Sequence, residues 1–505
     1  MGSRTNRREF LTLAAGGTAV AVFGRGSASR AATLRYLPAS ASAAVGGGVQ
    51  RFRSRPDLLA PEVVIDTPAQ ARLSGVIVTE SHAGPPQSGP LIVDQTGRIV
   101  WFNPLAPSPE SPLRAFNVRV QQYHGQPVLC WFEGVVVGSH GIGYGQGNYK
   151  IVDTSYQQIA EVSAQDGYQG DLHEFLLTPQ GTALFTCYGR AEGRVRSGGR
   201  MRRVPYLFGV VQEVDVATGK LLWHWRTDRH VPLTESHVKP VLKPGWEWDY
   251  FHVNAISIDP ADQNLVISGR NTCACYKVNR RTGKVMWRLG GKHSDFQMDP
   301  GTRFTFQHDV NIHPGGVLTL FDNEGGPPQE AAESRALVLS VDEKRRRVRL
   351  EHAFHHSPPV YSDALGSVQP LGHGKWFVGW GRSTNFTEYA GTGEVMFDGH
   401  LSAGSSSYRA FLRSWSGTPT APPDVAVARA GADATLYASW NGASAMAQWI
   451  VLGGPSATQL APLGIAPIAG FETAISVASA PAFLAVSAAD ASGQVLATSR
   501  VVTAS

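Results

Sequence analysis

Three histidines recur at matching places along the chain. Each stands near the start of a segment that continues as an alternating strand and ends in a proline-containing turn. The segments are Asp171–Pro179, Phe251–Pro260 and Gln307–Pro314, and their histidines are His173, His252 and His308. A single histidine at such a place is usually a hydrogen-bonded structural residue. Three at equivalent positions, with other polar side chains nearby, indicate one shared functional site.

The residues beside these histidines favour an anion as the ligand. Asn254 lies two positions beyond His252 and shares its strand face, and Arg270 follows one hairpin later. Cationic and neutral donors that converge on one point suit a negative group. A metal is less well supported, because the chain has no HExxH pattern and an arginine opposes a cation. Glu174 and Asp309 are moreover expected to face away from the channel. We therefore expect no metal ligands.

Distant segments can bring their histidines together only if the fold repeats itself. The sequence predicts short strands separated by Gly, Pro, Asn and Asp turns. One pattern recurs, which consists of a strand, a turn and an aromatic-rich strand. We count six such units between about residues 70 and 415. They predict an all-β, six-bladed β-propeller, in which the first strand of each blade borders the central channel. The alternative is an array of β-sandwiches, which the recurring tryptophans at strand ends disfavour.

The composition changes on both sides of the predicted propeller domain, 70–415. Residues 33–69 are interpreted as a lead-in segment and 416–423, which are rich in proline, as a linker. Residues 424–505 are rich in alanine and contain neither His nor Cys. Their alternating segments predict a small Ig-like or fibronectin-like β-sandwich. Without plausible catalytic side chains, this tail is expected to serve packing or attachment.

The first 32 residues have the pattern of a twin-arginine signal peptide. Arg7-Arg8 precede Phe10-Leu11, and an apolar stretch to Phe23 follows that is too short to span a bilayer. Small residues near Ala28 and Ala31 offer a cleavage site. We expect export by the twin-arginine route and a location that is extracellular, cell-wall associated or periplasmic. No later segment is long and apolar enough to be transmembrane.

The overall composition argues against nucleic acid as a partner. Among 505 residues only 17% are charged, the net charge is +5, and no basic stripe with interleaved aromatics is present. The arginine runs at 200–203 and 345–347 are interpreted as solvated loops or edge strands. The cysteines have no metal or redox spacing and are read as small buried side chains. They are Cys130, Cys187, Cys273 and Cys275. A Cys130–Cys187 bridge stays possible.

Two paired motifs resemble a known family. They are His252-Val253-Asn254 with Ser268-Gly269-Arg270, and Gln307-His308-Asp309 with Leu320-Phe321-Asp322-Asn323. In this order they resemble the arylsulfotransferase family, over roughly residues 70–415, and the tail resembles that of its actinobacterial and fungal branch. The chain is shorter than the enterobacterial members and lacks a counterpart of their N-terminal β-domain.

The resemblance implies a six-bladed propeller that transfers a sulfuryl group from a small-molecule aryl sulfate to a phenolic acceptor. It further implies a covalent sulfohistidine, ping-pong kinetics, no nucleotide donor and no cofactor. By position, His308 resembles the nucleophile. The groups that resemble those holding the sulfuryl and leaving oxygens are His173, His252, Asn254 and Arg270. Independently of the resemblance, a neutral imidazole is a competent nucleophile, and the chain has no GxxxxGK[ST] loop for a nucleotide phosphate.

Two other functions stay open. A quinone-dependent propeller dehydrogenase would need calcium ligands and a stacking platform at the axis, and the sequence offers neither. A non-catalytic exported propeller that binds ligands or proteins is the second alternative. Five further histidines are interpreted as structural or surface residues; they are His313, His355, His356, His373 and His400.

Overall fold

The computed structural model describes residues 48–503 with gaps at 72, 74, 85–86, 107–112, 139–142 and 330, together with the backbone of 18–19 and 34–36. Apart from residues 18–19, the predicted signal peptide lies outside the described residues. The chain divides into two compact units. One consists of Met1–Ala44, Gln50–Leu58 and Pro419–Ser505, and the other of Val45–Val49 and Leu59–Thr418.

Strands make up nearly all of the regular structure, which confirms the prediction of an all-β protein. The first strands are β1 (Thr18–Ala19), β2 (Leu34–Tyr36), β3 (Val49–Arg51), β4 (Leu59–Pro61), β5 (Val63–Thr67), β6 (Val76–Ser81), β7 (Gly89–Val93), β8 (Ile99–Phe102), β9 (Arg114–Tyr123), β10 (Gln126–Val137), β11 (Tyr144–Val152), β12 (Gln158–Val162) and β13 (Gly170–Leu177). The next are β14 (Thr182–Ser197), β15 (Arg200–Asp215), β16 (Leu221–Arg226), β17 (Trp248–Asp249), β18 (Val253–Ile258), β19 (Leu265–Gly269), β20 (Ala274–Val278), β21 (Val285–Gly290), β22 (Gln297–Met298), β23 (His308–His313), β24 (Val317–Asp322), β25 (Arg335–Asp342) and β26 (Arg347–Phe354). The last are β27 (Ser367–Gly372), β28 (Lys375–Gly379), β29 (Asn385–Tyr389), β30 (Val395–Leu401), β31 (Phe411–Arg413), β32 (Asp424–Ala430), β33 (Asp433–Ser439), β34 (Gln448–Ser456), β35 (Gln459–Pro467), β36 (Glu472–Val477), β37 (Phe483–Ala489), β38 (Val495–Thr498) and β39 (Val502–Thr503).

The helical segments of the described residues are short 3-10 turns. They lie at Thr227–Arg229, Leu233–Glu235, Arg270–Thr272, Pro314–Gly316 and Gly381–Ser383. The turn at Arg270–Thr272 follows β19 directly and thereby places Arg270 at the end of a buried strand. In the described part of the chain, no helix has the length and apolarity that a membrane span requires.

The larger unit is a succession of antiparallel meanders, because strands that follow each other in sequence pair with each other. In the described residues, β9–β12 and β13–β16 join in one nine-stranded sheet that also includes β17. The sheets that follow are β18–β21, β23–β26 with β22 on β26, and β27–β30 with β5 on β30. The first sheet has the order β31-β6-β7-β8. A strand from near residue 412 therefore completes a sheet that begins near residue 76.

Burial on both faces explains the composition of the middle strands. All five residues of β19 and all five of β20 are buried, and these strands consist mostly of apolar side chains. Tryptophans at the outer strands pack between sheets: Trp225 and Trp287 are fully buried, and the Trp225 indole donates a hydrogen bond of 2.9 Å to the Gly283 carbonyl oxygen in the next sheet's turn. The repeated tryptophans of the sequence thus join neighbouring meanders.

The smaller unit contains two antiparallel sheets. Their strand orders in the described residues are β1-β2-β36-β33-β32 and β35-β34-β37-β38, with β39 on β37. Both sheets contribute to one apolar core, which includes Leu436 and Ile475 from the first and Val451 and Val486 from the second. The alternation of apolar and polar residues in the tail therefore corresponds to strands with one buried face.

Candidate active site

The three histidines lie where the first strands of successive meanders are irregular. His173 is in β13, His252 directly precedes β18, and His308 begins β23. Each of these strands shifts its pairing register within or just after the segment that carries the histidine. His252 and Asp309 also have left-handed backbone, with φ of 56° and 50°. Bulges re-aim side chains, and such strained residues cluster at functional sites.

The irregular strands bring the three imidazoles into contact. The ring centroids of His173 and His252 are 4.7 Å apart, and those of His173 and His308 are 6.4 Å apart. All three side chains are buried. The structure thus places residues that are separated by up to 135 positions in sequence within one small cluster.

The hydrogen bonds of His308 determine its tautomer. Asn323 donates from Nδ2 to the carbonyl oxygens of Ser362 and Leu365, each at 2.8 Å, so its Oδ1 points towards His308 Nδ1 at 2.6 Å. The Phe306 carbonyl oxygen is a second acceptor near Nδ1, at 3.1 Å. His308 Nδ1 therefore carries the proton. In the described structure, its buried Nε2 has no hydrogen-bond partner, which leaves a lone pair available for chemistry.

The other two histidines belong to a chain of four side chains, here called the proton relay: Asp171, His173, His252 and Asp249. His173 Nδ1 lies 2.7 Å from Asp171 Oδ2, and His252 Nδ1 is hydrogen bonded to Asp249 Oδ2. The two Nε2 atoms are 3.2 Å apart. A hydrogen bond between these two atoms requires a proton on one of them. Two ionised carboxylates and two imidazoles protonated only on Nδ1 would leave both Nε2 atoms bare, so the relay holds one additional proton.

The pKa shifts indicate where that additional proton resides. Burial raises the pKa of Asp249 to about 7, although Arg270 opposes the rise. Burial and the Arg270 charge hold the pKa of His252 well below its ordinary value. At Asp171 burial works against ionisation, but the charge and hydrogen bond of His173 keep the pKa of this carboxyl below its ordinary value. The raised pKa of Asp249 assigns the proton to this carboxyl, which donates to His252, which in turn donates to His173. When the proton moves along the relay to His173, the ionised Asp171 carboxylate stabilises the imidazolium there.

The surroundings of His308 favour its neutral form. Burial, then the positive charge of Arg270 and the contact with His173, hold the pKa of His308 well below its ordinary value. An imidazole with a low pKa stays neutral at pH 7 and keeps its Nε2 lone pair.

Arg270 is fixed beside the cluster by its own short hydrogen bonds. Its backbone N–H donates to the His252 carbonyl oxygen at 3.0 Å, and its Nε donates to Asn271 Oδ1 at 3.0 Å. The guanidinium lies over the Phe306 ring, with its carbon 4.9 Å from the ring centroid. The arginine predicted from the sequence is thus held between the segments that carry His252 and His308.

Asn254 connects two of the histidine strands through its amide nitrogen. It is fully buried, and its Nδ2 donates to the Gln307 carbonyl oxygen at 2.7 Å. Gln307 in turn donates from Nε2 to Ser268 Oγ at 2.9 Å and to the Gly269 carbonyl oxygen at 3.1 Å. These bonds link the segment before β23 to β18 and β19, and so fix His308 relative to His252.

Glu174 and Asp309, which the sequence predicts to face away from the channel, belong to a buried charge network. Both carboxylates are buried and converge on Arg409, which lies 3.2 Å from Glu174 Oε2 and 3.5 Å from Asp309 Oδ1. Arg119 contacts the same two residues, at 3.2 Å each. Both residues lie within the register shifts of their strands, where strict alternation of faces does not hold.

A cleft of about 590 Å³ borders the cluster. Asp249, Arg270 and Phe306 form the part of its wall that contacts the histidine segments. Elsewhere the cleft is lined mainly by apolar and aromatic side chains, among them Trp246 and Trp248. A concave, largely apolar space with a few polar groups at one end is typical of a binding site for a small organic molecule.

Several site residues were missed by the sequence interpretation. Asp171 and Asp249 stand two and three residues before their histidines, a spacing that suits local hydrogen bonding and was available as a signal. Asn323 was part of the motif but received no role. No sequence pattern indicated Arg409, because its place beside the cluster depends on the pairing of β31 with the first sheet.

The cysteines form no disulfide, and His313 and His400 bond residues outside the cluster. All four cysteines are free and buried, so the possible Cys130–Cys187 bridge is not formed. His313 bonds Thr319 Oγ1 at 2.9 Å, and His400 bonds Asp66 Oδ2 at 2.7 Å. Within the described residues, no group of three or more His, Cys, Asp or Glu side chains is arranged to hold a metal ion.

Comparison with known proteins identifies one family. The arylsulfotransferase (ASST) family model matches residues 119–402, which is more than half of the chain and includes all three clustered histidines, Asn254 and Arg270. No curated protein matches the chain.

Solved structures resemble the chain only distantly. A protein of unknown function from Bacteroides caccae is 11% identical, with a TM-score of 0.40, and the match covers 67% of this chain and 98% of that one. Apo AztD from Citrobacter koseri is 9% identical, with a TM-score of 0.34 and coverage of 68% and 98%. A GH43 β-1,3-galactosidase, BT3683, is 13% identical, with a TM-score of 0.30 and coverage of 66% and 99%. Such low values carry no inference about activity.

Proposed function

Because the chain belongs to the arylsulfotransferase family, we propose that it transfers a sulfuryl group from an aryl sulfate to a phenolic acceptor through a covalent sulfohistidine on His308. The observation that carries this proposal is the buried, unpartnered Nε2 of His308 beside two other imidazoles and Arg270. Its lone pair is the nucleophile that a two-step transfer requires.

In the first step, His308 Nε2 attacks sulfur, the N–S bond forms, and the bond between sulfur and the aryl oxygen breaks. The departing phenolate takes the additional proton of the proton relay and leaves as a phenol. In the second step, an acceptor phenol returns a proton to the relay while its oxygen attacks sulfur. The N–S bond breaks, and His308 recovers its lone pair. The relay therefore serves as acid in one step and as base in the other.

The surrounding groups have separate roles in this scheme. Arg270 supplies a planar cationic fork for the sulfuryl oxygens, since sulfuryl transfer, like phosphoryl transfer, depends on stabilising charge on peripheral oxygens. The side-chain oxygen of Asn323, Oδ1, keeps the proton on Nδ1 of His308 throughout. The cleft beside Arg270 and Phe306 takes the aryl group, with Trp246 and Trp248 as its apolar wall.

The finer architecture and the location are part of the same proposal. We infer that the successive meanders between about residues 70 and 415 are the blades of a six-bladed β-propeller, with β31 closing the first blade. The tail then forms an Ig-like β-sandwich after a linker at 416–423. The paired arginines near the N-terminus support export by the twin-arginine route.

The proposal is tested by the release of nitrophenol from 4-nitrophenyl sulfate with and without added phenol. Without phenol, we expect nitrophenol release to stop after the first turnover. With phenol, release should continue, and one phenyl sulfate should form for each nitrophenol released. Release at the same rate without phenol would identify a hydrolase instead. The absence of any release would favour a binding protein.

The pKa shifts predict an asymmetric dependence of the first step on pH. As pH rises through about 7, Asp249 loses its proton, so the burst of phenol from an aryl sulfate with a poor leaving group should slow about tenfold per pH unit. Between pH 7 and 6 the burst rate should not fall, because the pKa of His308 lies well below 6.5. Stopped-flow measurement of the burst tests both limbs.

Two controls sharpen this measurement. With 4-nitrophenyl sulfate, whose leaving group needs little protonation, the alkaline decline should be shallower. Asp249→Asn, which cannot titrate, should lose the decline near pH 7. A rate that drops between pH 7 and 6 would show instead that His308 titrates like an ordinary histidine.

A further inference from the structure

Arg409 touches all three segments that carry the clustered histidines. Its Nη1 lies 3.2 Å from both carboxylate oxygens of Glu174, the residue after His173, and 3.5 Å from Oδ1 of Asp309, the residue after His308. Its Nη2 donates to the carbonyl oxygen of Asn254, two residues after His252, at 3.4 Å. The side chain is fully buried. One guanidinium thus connects three first strands that do not follow one another in sequence.

These contacts fall on the parts of the strands that regular pairing does not hold. Glu174 lies inside the register shift of β13, Asn254 inside that of β18, and Asp309 inside that of β23. A bulged residue lacks its place in the ladder of backbone hydrogen bonds, so its conformation must be fixed by other contacts. Arg409 supplies such a contact to each of the three bulges.

The position of Arg409 explains how it reaches them. It lies two residues before β31, which is the first strand of its sheet. The strands β13, β18 and β23 likewise stand at one end of their meanders. The neighbouring Tyr408 donates its hydroxyl proton to the His173 carbonyl oxygen at 3.1 Å. Asn117 Oδ1 accepts a further bond from Arg409 Nη1, at 3.0 Å. The segment before β31 therefore faces the histidine cluster from a fourth direction.

The charges of this network are balanced. Two guanidinium groups, Arg409 and Arg119, face two carboxylates, Glu174 and Asp309. Buried ion pairs contribute little to net stability compared with apolar residues, because desolvation offsets their attraction. They do, however, impose a definite geometry, and a planar fork with five donors imposes more than an ammonium group does.

We propose that Arg409 is a positioning residue that sets the separation of His173, His252 and His308 through Glu174, the Asn254 carbonyl and Asp309. The effect of Arg409 on catalysis rests on the proposed function, whereas its effect on the geometry of the histidines does not. A displacement of about 1 Å can reduce the rate of an enzymatic step by about 10²-fold. The bulges would allow displacements of that size if the guanidinium were absent.

The first test compares Arg409→Lys with Lys277→Met. Lys277 is another buried cation of the same unit, paired with Asp259, Asp262 and Glu343 at 2.6–2.8 Å and remote from the histidines. We expect Arg409→Lys to slow the burst about 10²-fold with little change in KM, and Lys277→Met to lower the melting temperature without changing the burst rate per folded molecule. Should Arg409→Lys behave like Lys277→Met, Arg409 has a merely structural role and the proposal is overturned.

The second test separates geometry from charge. Arg409→Met removes one of the two cations that face Glu174 and Asp309, so with Arg119 alone the network keeps one uncompensated negative charge on the strands of His173 and His308. His308 itself faces Arg270, His173, His252 and Asn323. The acid limb of the burst should then move to higher pH, because nearby negative charge favours imidazolium. Arg409→Lys keeps the charge and should keep the acid limb where it is. An identical pH profile in all three proteins would contradict the coupling.

Two further measurements keep the outcome decisive. If Arg409→Met does not fold, Glu174→Gln removes one contact at nearly constant volume and should slow the burst by a smaller factor than Arg409→Lys. If the wild-type protein shows no burst at all, the proposed function fails. In that case a crystal structure of Arg409→Lys still decides the positioning role, since the 3.2 Å contact between the Nε2 atoms of His173 and His252 should lengthen. An unchanged contact would overturn it.

Discussion

Replacing His308 by asparagine is expected to abolish the burst of phenol and the covalent adduct while the fold is retained. Wild-type protein incubated with an aryl sulfate alone should release about one phenol per molecule and carry a sulfo group on the peptide that contains His308. The N–S bond of such an adduct is labile in acid, so the digest must be kept neutral or alkaline before mass spectrometry. Removal of the nucleophile should reduce kcat by on the order of 10³-fold or more.

The structure offers a matched control for this substitution. His313 lies on the same strand, β23, but bonds Thr319 and not the cluster, so His313→Asn should keep both burst and adduct. An adduct on His173 or His252 would assign the nucleophile to that residue. Intersecting instead of parallel double-reciprocal lines, together with no adduct, would mean direct transfer between two bound substrates and would contradict the covalent mechanism.

Arg270→Lys is expected to reduce the rate of the burst by about 10²–10³-fold, the usual cost of losing a donor that stabilises charge in the transition state. Lysine keeps the positive charge but loses the planar fork that matches the oxygens of a sulfuryl group. Since the charge that depresses the pKa of His308 is kept, the acid limb of the pH profile should stay in place. Arg270→Ala should both slow the burst and move that limb to higher pH.

Arg288→Lys serves as the control for this arginine. Arg288 lies on β21 of the same sheet, is partly buried, and pairs with Glu235 at 3.1 Å. Its substitution should leave the burst rate within about twofold of wild type, because exposed or partly exposed ion pairs contribute little. Near-native turnover of Arg270→Lys would mean that Arg270 only ties the loop at Arg270–Thr272 to the His252 segment.

The sequence identified the residues of the candidate site better than it identified their hydrogen-bond partners. Repetition identified His173, His252 and His308, since equivalent positions in a repeated fold face the same space. Arg270 and Asn254 followed from their distance along the chain to His252. The structure places Arg270 beside the histidines but commits the Asn254 amide to the Gln307 carbonyl. Spacing alone does not say which acceptor a buried amide will meet.

The partners of Glu174 and Asp309 could not be predicted from the sequence, and the reason is physical. The period of two in a strand assigns each residue to a face, and this rule holds only while the pairing register is constant. A bulge shifts the register, and whether it forms depends on the partner strand and on what the bulged residue contacts. Here the contact is Arg409, a residue 235 positions from Glu174 and 100 from Asp309. No local pattern contains that information.

The sequence by itself determined the all-β class, the tryptophans that pack between meanders, and the histidine pattern on which the site is built. These features depend on periodicity and on the chemistry of single residues, which a linear reading preserves. The tertiary structure alone decided the tautomer of His308, the proton relay and the buried charge network. The tautomer depends on where the residue after β24 meets the start of β23, whereas the relay and the charge network depend on distances between atoms from different sheets. The distances of the charge network are set when β31 joins the first sheet and brings residue 409 to the strands that carry the histidines.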